Sequence, residues 1–209
     1  MKDIEAIISA LSGRQANIMG HEEYFKSAIL LPLVKCGDEL YVLFEKRSRI
    51  LCTQPGEVCF PGGGIEASEE PEFAAIRETC EELNLSAADI EIIAPLDIFV
   101  SPFGVIVYPF LAYIKNVDKN KIRANPGEVD YIFFVPLTYL LETRPVKSEI
   151  LIKLGFPENF PYELIPNGRN YSYRSGKMLQ HFFLWENEVI WGLTARILHH
   201  FLKLIKEKL

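Results

Sequence analysis

Three carboxylates, Glu78, Glu81 and Glu82, recur at offsets zero, three and four within Arg77-Glu78-Thr79-Cys80-Glu81-Glu82, and they constrain this chain more than any other feature. On a helix that spacing stacks them along one face. Like charges so placed repel and weaken the helix unless something positive sits between them, and a divalent cation is the simplest candidate. Roughly half a turn away, Phe73, Ile76, Cys80 and Leu83 form an apolar stripe suited to burial. Ser68, Glu69 and Glu70 give an N-terminal signal, Pro71 suits a first turn, and Asn84 suits a left-handed C-terminal position. The spacing predicts a helix from Glu69 or Glu70 to Leu83.

With 209 residues, 49% of them hydrophobic, residues 1–209 are expected to form one domain. The net charge of −6 argues against nucleic acid as a partner, so an anionic substrate has to be met by local cations. Cys36, Cys52, Cys59 and Cys80 form no CxxC pair and read as buried free thiols. No segment approaches the length of an apolar membrane span and no signal-peptide pattern opens the chain; a cytoplasmic protein without a membrane partner is expected. A homodimer is left open.

Ile4, Ile7, Ile8 and Leu11 predict an N-terminal helix over about 2–12 that packs on the domain. Strands are expected over Phe25–Val34, Glu39–Phe44, Val58–Phe60, Ile90–Val100, Val105–Lys115, Tyr131–Val135 and Met178–Trp185. Pro109 predicts an edge position or a bulge. Pro61-Gly62-Gly63-Gly64 permits close backbone approaches. Val117–Gly127 reads as a polar loop, Pro136–Leu141 as a short helix and Glu142–Asn170 as a long excursion with one strand at most. A final helix is expected over about 188–206, capped by Asn187. Hairpin-ordered strands with two substantial helices favour an α/β fold, a mixed sheet sandwiched by helices.

Gly63, Glu69, Arg77, Glu78, Glu81 and Glu82 stand in the frame G-x5-E-x7-R-E-x-x-E-E, and the chain so resembles the Nudix hydrolases. Thr79 replaces the usual aliphatic residue and Asn84 the usual Gly. Leu43–Ser48, Pro55–Gly63, Asn125–Val129, Val135–Leu137 and Ile190–Ile197 resemble the coenzyme A diphosphatase branch, with Gln54 where a His is often found. The resemblance implies a Nudix-type α/β/α sandwich with a mixed β-sheet, and Mg²⁺- or Mn²⁺-dependent hydrolysis of a nucleoside diphosphate such as coenzyme A or acyl-coenzyme A. The products implied are 4′-phosphopantetheine and adenosine 3′,5′-bisphosphate. ADP-ribose or a dinucleotide is an alternative substrate, and a silent nucleotide sensor is an alternative of another kind.

Under that resemblance Glu78 and Glu82 are first choices as metal ligands, Glu81 is a third ligand or the base that activates water, and the Gly63 carbonyl completes the shell. Hard oxygen donors suit Mg²⁺ or Mn²⁺ and not zinc. Arg77 can reach Glu81 at i+4 and is implied to orient a carboxylate. Glu69 is read as structural, supporting the loop and helix. Glu128, just before a strand, is a candidate base or extra ligand. Arg47 is the best candidate for a phosphate, with Lys46 and Arg49 facing solvent. Trp191 is expected to anchor the core.

Overall fold

The computed structural model describes residues 4–115 and 122–208. The strands are β1 (Phe25–Cys36), β2 (Glu39–Arg47), β3 (Val58–Cys59), β4 (Gly62–Gly64), β5 (Ile90–Pro95), β6 (Phe99–Ser101), β7 (Val105–Ile114), β8 (Val129–Pro136), β9 (Val146–Ile152), β10 (Gly176–Trp185) and β11 (Glu188–Ile190). The helices are α1 (Ile4–Leu11), α2 (Pro71–Leu83), α3 (Leu137–Glu142) and α4 (Gly192–Lys206). β1 to β8 form one mixed sheet, in which β1 and β7 run parallel and the other pairings of the described residues are antiparallel, and β9 to β11 form a smaller antiparallel one.

The strand registers explain where a site can form. β2 pairs with β8 along one edge over Tyr41–Arg47; on its other edge β1 takes only Glu39–Val42, and β3 takes Glu45 and Lys46. β1 likewise pairs with β7 over its length, while its opposite edge gives Leu33–Cys36 to β2 and Ser27–Ile29 to β4. The hairpin β1–β2 thus splits partway along, and the segment from Val58 to Gly64 enters the split as a wedge. An N–H at Leu30 donates to the Pro61 carbonyl at 2.9 Å and closes the wedge against β1. Gly62 sits at its tightest point, at φ +144°, where an added Cβ would lie 2.3 Å from the Ala28 carbonyl oxygen. Only glycine fits a backbone crossing that close.

Side chains alternate across this sheet and build a core on each face. Leu31, Leu33, Val42 and Phe44 meet Ala195, Leu198, Phe201 and Leu202 of α4; Ala28, Leu30, Val34 and Leu43 meet Ala74, Ala75 and Leu83 of α2. The buried positions of α4, at 194, 195, 197, 198, 201 and 202, follow a helical period. The result is a sheet between α2 and α4, the α/β/α sandwich expected.

Several local expectations change. The buried face of α2 consists of Ala74, Ala75, Thr79, Glu82 and Leu83, and Phe73 is 65% exposed. Paired alanines let the helix sit close on β1, which rotates Phe73 outward and one of the carboxylates inward. Pro71 and left-handed Asn84 bound this helix as expected, although Ser68 makes no cap and Glu70 stands at the N-cap. Every described residue of α1 is exposed, so it does not pack on the sheet. The expected strand Ile90–Val100 is two, β5 and β6, and Pro109 lies in interior β7 opposite their junction, where its carbonyl accepts from Leu96. Missing strand there substitutes for the edge position expected of a proline. Residues 188–190 extend a hairpin with β10, so the last helix begins at Gly192 and Asn187 lies in the turn. Cys36 and Cys52 are exposed, contrary to the buried thiols expected. Residues 116–121 of the expected polar loop, with 1–3 and 209, lie outside the described residues.

Candidate active site

The wedge carries Gly62, Gly63 and Gly64 up to α2, and the acidic side chains of α2 reach it in different ways. Glu82, 5% exposed, accepts the Gly62 N–H at 2.8 Å. The Glu78 carboxyl lies against Gly63, where an added Cβ would sit 2.4 Å from its Cδ. Glu81 points outward, its side chain 55% exposed. Glycine at 63 therefore reserves the space that Glu78 occupies.

Arg77 ties this assembly together. Its Nε and Nη2 donate to the two oxygens of Glu69 at 2.9 Å each, its Nη1 to Glu78 at 2.8 Å, and its Nη2 to the Gly64 carbonyl at 3.2 Å. Glu81, the expected i+4 partner, is more distant at 3.8 Å. The paired bonds to Glu69 match the planar fork of the guanidinium and tether the loop before α2 to its second turn. Arg77 donation and the Glu66 N–H hold the Glu69 carboxyl down at about 2. Glu69 thus accepts both from the loop before α2 and from Arg77, and Arg77 bridges Glu69 and Glu78.

The loop bearing Glu128 is fastened to the same place. The Asn125 N–H donates to the Glu82 carbonyl at 2.7 Å, and the Ser48 N–H to the Glu128 carbonyl at 2.8 Å. Arg47 donates through Nε to the Thr53 carbonyl at 3.3 Å, within the loop that follows β2. Its charge acts on Glu45, so it borders the acids without being locked to one of them. Lys46, expected in solvent, is instead paired with Glu188 at 2.7 Å, and Tyr131 donates to the same carboxylate.

Sequence reasoning missed Glu45. It is 1% exposed, on the same face of β2 as Leu43; one oxygen accepts from the Cys59 thiol at 3.2 Å and the other, Oε2, finds no hydrogen-bond partner among the described residues. Burial raises the pKa of Glu45 and of Glu82, Glu45 raises that of Glu82 further, and Glu128 adds to both. The available signal was a carboxylate at an apolar position of Tyr41-Val42-Leu43-Phe44-Glu45.

Among the described residues no three His, Cys, Asp or Glu side chains are gathered into a finished metal shell. Arg77 draws Glu78 one way while the Gly62 N–H draws Glu82 another. The donor set nevertheless suits a hard cation: carboxylate and carbonyl oxygens, two of the carboxylates buried without a full positive counterpart. Beside the wedge lie two clefts. One of about 390 Å³ is lined by Lys26, Ile65, Glu69 and Tyr108; one of about 460 Å³, on the α4 face of β2 and β3, is lined by Lys46, Val58, Phe182 and Trp191. Trp191 is 41% exposed there and not the core anchor expected.

A sheet split by a glycine wedge, backed by a helix of carboxylates, defines the class, and the NUDIX domain profile matches residues 25–154. The chain belongs to the Nudix hydrolase family. It is 33% identical over 151 residues to the peroxisomal coenzyme A diphosphatase of Mus musculus, covering 70% of this chain and 63% of that one. It is 32% identical to Nudix hydrolase 15, mitochondrial, of Arabidopsis thaliana, over 83% of this chain and 56% of the relative. Against the mitochondrial coenzyme A diphosphatase of Homo sapiens it is 30% identical, over 86% of this chain and 69% of the relative. The chain thus spans between about half and two thirds of the first two relatives. A MutT/nudix family protein from Enterococcus faecalis shares the fold, with a TM-score of 0.51 at 15% identity over 98% of this chain and 70% of that one. Among the described residues no helix is long and apolar enough to cross a membrane.

Proposed function

We propose that this chain is a Mg²⁺- or Mn²⁺-dependent diphosphatase that hydrolyses coenzyme A or an acyl-coenzyme A to 4′-phosphopantetheine, or its acyl form, and adenosine 3′,5′-bisphosphate. The observation that carries the reading is the seating of Pro55–Gly64 in the split sheet against the α2 acids. This joins the segment that resembles the coenzyme A diphosphatases to the carboxylates of the hydrolytic motif. Relatives named for coenzyme A diphosphatase activity support the choice of substrate.

Glu78, Glu82 and the Gly63 carbonyl would hold the cation, with Glu81 as a further ligand. When bound, a hard divalent cation neutralises phosphate oxygens and lowers the pKa of water. Arg77 holds Glu78 at the wedge, and Glu69 holds Arg77. Glu128, on its tethered loop, or exposed Glu81 takes the proton from the attacking water, whose oxygen bonds to one phosphorus as the bond from that phosphorus to the bridging oxygen breaks. Arg47, beside the acids with its Nε on the Thr53 carbonyl, meets a phosphate oxygen. The proposed location is the cytoplasm.

A panel of coenzyme A, dephospho-coenzyme A, ADP-ribose and NADH with Mg²⁺ and with Mn²⁺, read by product chromatography, tests the proposal. Turnover of coenzyme A above the others is expected. Strong turnover of ADP-ribose with none of coenzyme A moves the chain to another diphosphate substrate.

A further inference from the structure

We propose that Glu45 is an additional ligand of the divalent cation, one contributed by the sheet and not by the carboxylate helix. The inference rests on the metal-dependent reading above and adds to it a residue outside the motif. β2 and β3 pair Glu45 with Cys59, and both side chains face the α2 side, where Glu82 rises to the Gly62 N–H. The Cys59 thiol occupies Oε1 of Glu45 and fixes the carboxyl plane, leaving buried Oε2 without a partner among the described residues. An isolated buried acceptor is costly, and here it stands among other acids instead of beside a donor. The charge of Arg47 acts on it, but Arg47 gives its Nε to the Thr53 carbonyl.

Simple packing does not account for the residue. Leu43, two positions back on the same face, is wholly buried in the α2 core, and a leucine at 45 would continue that pattern without an orphaned oxygen. Glu128 bears on Glu45 electrostatically and Glu45 on Glu82, so a cation entering between α2 and β2 relieves the repulsion in one step. Oxygen donors on both walls would hold it from the helix side and the sheet side. Cys59 serves as a positioning residue through its bond to Oε1.

The test is Mn²⁺ binding by electron paramagnetic resonance and calorimetry, without substrate, on the full chain and on Glu45→Gln. The amide retains size and an acceptor for the Cys59 thiol but removes the charge. Wild type is expected to bind Mn²⁺, and the variant to bind at least about tenfold more weakly. Without metal at pH 8 the variant should melt at or above the wild-type temperature, because a buried repulsion has been removed. Equal Mn²⁺ affinity and stoichiometry in the two proteins overturns the role of Glu45 and leaves the metal-dependent reading standing. A lower metal-free melting temperature, or failure to fold, shows a structural carboxylate and also overturns it. Failure of the wild type to bind Mn²⁺ removes both.

Discussion

Adjacent glycines at 62 and 63 should fail in opposite ways when each is replaced by alanine. At Gly62 the new Cβ lies 2.3 Å from the Ala28 oxygen and 2.6 Å from the Ile29 Cα, on a backbone at φ +144°. Those atoms are fixed by pairing of β1 with both β4 and β7, so neither can yield without disturbing the sheet. Conformational strain of about 1–3 kcal/mol and overpacking of about 1–3 kcal/mol give a loss of about 2–6 kcal/mol. That is a large part of the roughly 5–15 kcal/mol holding an ordinary domain together. At Gly63 no positive φ applies, and the atoms met at 2.4 Å are the carboxyl end of a flexible Glu78. Glu78 swings aside and gives up its bond to Arg77, for about 1 kcal/mol or less at this partly exposed position. Urea denaturation should therefore find Gly63→Ala near wild type and Gly62→Ala strongly destabilised. Mn²⁺ affinity and turnover should fall at least about tenfold in Gly63→Ala, since a proposed ligand has been displaced. Equal destabilisation of the two variants, or wild-type turnover by Gly63→Ala, refutes the division between wedge and site.

Glu82→Gln should keep an acceptor for the Gly62 N–H and remain within about 1 kcal/mol of wild-type stability, while turnover falls at least about a hundredfold; undiminished turnover removes Glu82 from the cation site. Acid titration of stability reports on buried His181, whose ring stacks on His199 at 4.0 Å and whose pKa is pushed down to about 4 by burial, then by His199 and Lys147. The unfolded chain takes up this proton near pH 6.5, above the folded value, so its contribution is lost as pH falls from about 6.5 towards 4, by at most about 3 kcal/mol. A His181→Phe variant should show a shallower loss over that window, and an unchanged profile contradicts the assignment.

The placement of Glu78, Glu81 and Glu82 on one helix of the candidate site was legible because those residues sit close together in the chain and their offsets report on one helix. The ends of α2, the proline in its first turn and the left-handed Asn84 followed from local chemistry. The face it buries did not, because Ala74 and Ala75 carry little hydrophobic signal although their small size sets the approach to β1. The split between β1 and β2 was equally hidden, since alternation specifies which side a residue faces but not where two strands part. Glu45 depends on that split: its neighbours come from β3, α2 and the loop at Glu128, all distant in sequence. Lys46 was misjudged for the same reason, as its partner Glu188 lies in a strand that periodicity assigned to the last helix.

Phosphorus NMR of coenzyme A incubated with the full chain tests the central claim most directly, with Mg²⁺ present and again with the cation chelated. With Mg²⁺ the diphosphate resonances are expected to disappear and two new phosphomonoester resonances to take their place, those of 4′-phosphopantetheine and the 5′-phosphate of adenosine 3′,5′-bisphosphate, whereas the chelated sample keeps its diphosphate. An intact diphosphate in the presence of Mg²⁺ and Mn²⁺, or equal cleavage after chelation, contradicts that claim.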